Sequence, residues 1–183
     1  MKISKIVQGG VVLVSLAAFA SVSSPAKADT LQPPDSDALV AGYQLIRFDL
    51  KECSALLGSQ KGAPANSNAI LSPSITKIAA KMCKSAHEYQ PKLEALAKEK
   101  NFQLPTSLPY DLNARYAALV RNQGGNLGQQ YLEDQIDSHA TALAVFQEEV
   151  ATGKDPDVKA AAAEVIPTIQ ENLNAMKTLA SKQ

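Results

Sequence analysis

The sequence predicts an all-α protein built as a ferritin-like four-helix bundle, with a short extra helix before the third long one. Three observations carry this. Four stretches of about 25 residues repeat apolar side chains in steps of three and four, the period of a helix with one buried stripe. No stretch alternates apolar and polar residues as a half-buried strand would. Two of the long patterns open with a capping residue followed by proline, Ser72-Pro73 and Asp155-Pro156, a strong helix start.

Residues 1–28 stand apart from that pattern. Lys2 and Lys5 form a basic start, and residues 11–22 are apolar except for Ser15 and Ser21. Ala26-Lys27-Ala28 then supplies the small-x-small pattern of a secretory cleavage site, so the mature chain is expected to start at Asp29. A spanning helix needs roughly 20 apolar residues, and this run is shorter. The domain organisation is therefore a signal peptide over 1–28 and one bundle domain over 29–183, periplasmic or secreted. No membrane span is expected after cleavage.

The leader takes three of the 18 basic residues and none of the 18 acidic ones, so the mature charge is 15 − 18 = −3. There is no basic cluster and no tryptophan, which argues against nucleic acid as a partner. The expected partner is an envelope protein or a small ligand.

The first long helix is expected over 37–59, with Leu39, Tyr43, Ile46, Leu50, Cys53 and Leu57 inward. Residues 61–71 are rich in Gly, Pro, Ala, Asn and Ser and read as a loop. The second long helix, 73–100, turns Ile75, Ala79, Met82, Ala86, Tyr89, Leu93 and Leu96 inward, and Pro91 should kink it. A proline-containing connection over 101–109 leads to the short helix, 110–120, which Gln123-Gly124-Gly125 ends. The third long helix, 127–151, is stopped by Gly153; its apolar series is Leu132, Ile136, Leu143, Phe146 and Val150, and His139 falls on the same stripe. The fourth, from Pro156 to about residue 179, turns Val158, Ala162, Val165, Ile169, Asn172, Met176 and Leu179 inward, with a second kink expected at Pro167.

Up-down-up-down packing would put the 1–2 and 3–4 connections at one end. At about 1.5 Å per residue, Asp49, Ala86, His139 and Asn172 would then lie ~15, ~20, ~18 and ~24 Å from that end, close to one layer.

The chain resembles the exported, ferritin-like domain-of-unknown-function family 4142 over residues 38–179. The matching pieces are Ile75-x-x-x-Ala79-x-x-Met82, Leu93-x-x-Leu96-Ala97 with Leu104-Pro105, Tyr131-Leu132-x-x-x-Ile136-x-x-His139, Leu143-x-x-Phe146 and Val165-Ile166-Pro167. The departures lie at the polar positions. Ser85-Ala86 stands where the family usually has Asp-His, and His87 is displaced by one residue, about 100° around the helix. Leu127-Gly128 replaces Phe-Asp, and Asn172 replaces a histidine; Asp49 matches an acid of the first helix.

The candidate sites are few. Cys53 and Cys83 are the two cysteines, and an oxidising compartment favours a disulfide between them over two buried thiols. Asp49, His87 and His139 are weak candidate metal ligands. A di-iron bundle needs Glu-x-x-His pairs, but Ile136 and Lys84 occupy the positions three before the histidines. His139 reads instead as a core histidine in a buried polar layer, hydrogen-bonded to a neighbour such as Asn172. Cys83 and His87 are one turn apart and would be the only enzyme-like pair. The remaining charges, including Lys92, Lys98, Lys100, Glu133, Asp134 and Asp137, read as solvated faces.

The chain thus reads as a non-enzymatic binding or structural protein of the cell envelope, without a cofactor. The alternative is a metal-binding or redox bundle with a reduced ligand set, holding one transition metal weakly.

Overall fold

The computed structural model describes residues 31–60, 71–122 and 126–182. The expected leader over 1–28, most of the 61–71 loop and the 123–125 stop lie outside the described residues. Five helices follow in order: α1 (Asp35–Gln60), α2 (Pro73–Glu99), α3 (Tyr110–Arg121), α4 (Leu127–Thr152) and α5 (Pro156–Ala180). No strand occurs among the described residues. Ser72 caps α2 by accepting from the Ile75 N–H at 3.3 Å. Asp155 caps α5 by accepting from the N–H groups of Asp157 and Val158, satisfying donors that the first helical turn leaves open. Both helices run on through their internal prolines, Pro91 and Pro167.

The four long helices form a square in which α1 packs on α2 and α4, and α5 packs on α4 and α2; α3 lies across the α1–α4 edge. The contacts between α2 and α5 are the sparsest of the four edges. Asp35, at the start of α1, accepts from the Lys154 and Asp155 N–H groups of the α4–α5 connection, each at 2.9 Å. Lys100, just beyond α2, pairs with Asp155 at 3.0 Å at that same end. The α4–α5 connection therefore meets the beginning of α1. The last turns of α1 and the first of α2 meet at the opposite end, contrary to the up-down-up-down expectation. The reason is α3, which carries the chain back along the bundle, so that α4 starts beside the start of α2. The directions are up, down, down, up.

That inversion barely moves the predicted layer, because its members sit near the middle of their helices. Asp49 is 14 residues after Asp35, Ala86 13 before Glu99, His139 13 before Thr152 and Asn172 16 after Pro156. At about 1.5 Å per residue these are ~21, ~20, ~20 and ~24 Å from the shared end.

The apolar core is in two halves. One gathers Leu56, Ile75, Met82, Tyr131, Leu132 and Met176; the other gathers Leu39, Leu45, Phe146, Val158 and Ile169. On three of the long helices buried polar residues lie between them, Asp49 and Glu52 on α1, Gln135 and His139 on α4, and Asn172 on α5, whereas α2 places Ala86 there. Two expected exposures differ as well. Asp134 is buried, not solvated, and Lys100 is only 16% exposed because Asp155 and Asp157 enclose its ammonium. Val150, expected inward, is exposed, and its neighbour Glu149 is buried in its place.

Candidate functional site

The site begins with two residues one helical turn apart on each of two facing helices. Asp49 and Glu52 share a face of α1, and Gln135 and His139 share a face of α4, since side chains three or four apart point the same way. Gln135 Nε2 donates to Glu52 Oε2 across the gap at 3.1 Å. His139 Nδ1 lies 3.0 Å from the Gln135 main-chain carbonyl. A carbonyl only accepts, so the proton of the neutral ring is on Nδ1 and the lone pair is on Nε2. That Nε2 is 3.9 Å from Asp49 Oδ2, too far for a hydrogen bond.

Burial decides the charge of this layer. It disfavours every ionised form here. It pushes His139 down to about 4, against the Gln135 carbonyl, which acts to raise it. It pushes Glu52 up to about 9, with Gln135 opposing and Asp134 and Asp49 reinforcing. Asp49 is raised well above the usual carboxylate range by burial, and Asp134 is raised by burial with Arg115 opposing. The Tyr131 hydroxyl is likewise raised by burial. Burial therefore favours the neutral forms of His139 and Glu52 at neutral pH and drives Asp49 in the same direction. Arg115 on α3 lies over its outer edge, 3.5 Å from Asp134 and 2.9 Å from Asp137.

The layer forms the polar end of a cavity of about 120 Å³ between α2 and α5. Asp49, Ala86, His139 and Asn172 all line it. The rest of the wall is almost entirely apolar, with Leu39, Leu93, Phe146, Val158 and Ile169 prominent. Small residues make the opening possible: Gly42 on α1, Ser85 and Ala86 on α2, and Ala161 and Ala162 on α5 leave space along the loosest edge of the bundle. Asp49 Oδ1 and Asn172 Oδ1 are buried and have no hydrogen-bond partner among the described residues. Buried polar atoms are nearly always paired, so two unpaired acceptors at the end of an apolar cavity mark it as a place where a ligand's donor would be satisfied.

Each sequence-derived candidate can now be placed. Asp49 and His139 come together, but His87 is exposed on α2 and does not join them. Among the described residues no three of His, Cys, Asp and Glu converge as metal ligands. The carboxyls nearest His139 are also driven towards their protonated forms, which bind metal poorly. The expected His139–Asn172 hydrogen bond is not formed; His139 turns Nδ1 to the carbonyl one turn back on its own helix instead. Cys53 and Cys83 are joined in a disulfide with Cα atoms 5.8 Å apart, so Cys83 is not a thiol available to His87. Glu52, Gln135, Tyr131 and Asp134 were not anticipated. Their helical spacing from Asp49 and His139 was the available signal.

A family model described as "Domain of unknown function (DUF4142)" matches residues 63–179. No protein with a curated description matches the chain. Among solved structures, the crystal structure of a DUF305 fragment from Deinococcus radiodurans is similar, with a TM-score of 0.67 at 14% identity. The match covers 84% of this chain and 99% of that one. At that identity the likeness shows a shared helical fold and nothing about activity.

Proposed function

The chain belongs to the DUF4142 family, and from that premise we propose that it is an exported, non-enzymatic binding protein of the cell envelope that holds a small ligand inside its bundle. The observation that carries this reading is the cavity between α2 and α5: apolar along most of its length, polar at one end, with two buried acceptors lacking partners among the described residues. Such a combination is the usual anatomy of a small-molecule site. Export is supported by the leader pattern over 1–28 and by the Cys53–Cys83 disulfide, which persists in oxidising compartments. The non-enzymatic reading is supported by the chemistry of the layer. His139 turns Nδ1 to a main-chain carbonyl and faces Asp49, a carboxyl that burial drives towards its protonated form, and neither arrangement activates a nucleophile.

The test is to isolate the protein from the envelope fraction of its own cells, denature it and analyse the released small molecules by mass spectrometry. The reading expects a compound in near-equal amount to the protein, absent from an Ala161→Leu variant whose larger side chain fills the cavity. A protein that stays in the cytoplasm, or an extract identical for both proteins, would contradict it.

A further inference from the structure

We infer that the α2–α5 cavity accepts a single-chain aliphatic molecule bearing one uncharged hydroxyl head, seated with the hydroxyl against Asp49, His139 and Asn172. This rests on the small-ligand reading above and gives it a chemical class.

Shape selects the chain. The α1 wall of the cavity runs from Leu39 to Asp49, ten residues, or ~15 Å at about 1.5 Å per residue. The α2 wall from Ser85 to Leu96 is of similar length. A volume of about 120 Å³ distributed over that length is a narrow slot. It suits an extended alkyl chain lying along the helices better than a ring. The walls it would touch, Leu39, Leu93, Phe146, Val158 and Ile169, offer dispersion contacts and no hydrogen bonds.

Chemistry selects the head. The polar end presents three acceptors: the Nε2 lone pair of His139, Asn172 Oδ1 and Asp49 Oδ1. A hydroxyl can donate to one of them and accept from Asp49, whose carboxyl burial drives towards its protonated form. A carboxylate head would bring a buried negative charge beside Asp49 and Glu52, and the cation that lines the cavity, Lys92, lies six residues along α2 from Ala86 and is already paired with Glu164 at 2.9 Å. An ammonium head would have to be stripped of water and would need Asp49 to ionise in the core. Two exposed ion pairs link α2 and α5, Lys81 with Glu171 at 2.6 Å and Lys92 with Glu164 at 2.9 Å. Ser85 and Thr168 lie between them in sequence on the two helices, at the level of the polar end, and give the head its nearest route to solvent.

The experiment is calorimetric titration of the mature, disulfide-bonded protein at neutral pH with 1-octanol and, separately, with octanoate and octylamine. The expected result is saturable one-to-one binding of 1-octanol, with octanoate and octylamine at least about tenfold weaker. Asn172→Leu, which removes an acceptor while keeping an apolar volume, should weaken 1-octanol by up to about tenfold. Ala161→Leu should abolish binding while the thermal midpoint stays at or above that of the wild type, which shows that the fold is intact. Absent or unsaturable octanol binding overturns the inference, as does unchanged binding in Ala161→Leu. If octanoate or octylamine binds more tightly than octanol and Ala161→Leu abolishes it, the head group is wrong and the small-ligand reading stands. If no probe binds and the released small molecules are the same for wild type and Ala161→Leu, both fall.

Discussion

Gln135 Nε2 on α4 donates to Glu52 Oε2 on α1 at 3.1 Å, within a layer that separates the two halves of the apolar core. The bond holds a carboxyl where water cannot reach it, and stability should register the consequence as pH changes. Burial raises Glu52 from 4.5 to about 9. The native state therefore keeps a proton that the unfolded chain releases, and linkage makes stability fall as pH rises through that interval. Asp49 acts in the same sense. His139, lowered to about 4, acts oppositely between about 4 and 6.5. Urea unfolding should show a decline from near-neutral towards pH 9, and Glu52→Gln should flatten it. An unchanged slope in Glu52→Gln would remove Glu52 as its source.

His139→Ala should destabilise the bundle by about 2–4 kcal/mol, since it enlarges a cavity and removes the Nδ1 contact to Gln135. His87→Ala, on the exposed face of α2, should change stability by no more than about 0.5 kcal/mol. Thermal or urea unfolding of the two variants checks both. Equal effects would contradict the placement of the two histidines.

Reduction of the Cys53–Cys83 bridge should lower stability by about 3–4 kcal/mol, the chain-entropy value for a 30-residue loop. Unfolding of the Cys53→Ala/Cys83→Ala protein measures it without a reductant. The native far-UV circular dichroism should be retained, because the four helices pack through residues on both sides of the bridge.

Asp35→Ala should cost about 1.5–3 kcal/mol, because the buried carboxyl accepts two main-chain N–H groups of the α4–α5 connection. Hydrogen exchange should show faster opening at Lys154 and Asp155 before any change around Cys53. Exchange that accelerates uniformly would show that the clamp is not local.

Much of the bundle is legible in the sequence because helix starts and apolar stripes are local signals. Ser72-Pro73 and Asp155-Pro156 mark the starts of α2 and α5, and the stripe of α5 from Val158 to Met176 is buried largely as its spacing indicates. The stripe of α4 is less legible. Its buried face includes Tyr131, Gln135, Ala142 and Glu149, about one residue round from the apolar series that ends at Val150. Counting apolar residues cannot register a buried glutamine or glutamate, whose burial depends on what another helix supplies. Gln135 is matched by Glu52 from α1, and Glu149 is raised to about 7 by burial and by Asp35 beside it. The relative direction of the helices was equally hidden, since it follows from where α3 leads the chain. The candidate layer survived that error because Asp49, Ala86, His139 and Asn172 are all near mid-helix.

The most direct test of a buried, neutral His139 in the middle layer is its ring nitrogen spectrum in ¹⁵N-labelled protein, followed from neutral pH downwards. The structure predicts a neutral ring with its proton on Nδ1, holding that form until about pH 4. A ring that titrates near 6.5, carries its proton on Nε2, or shows the nitrogen shift of a metal ligand would contradict it.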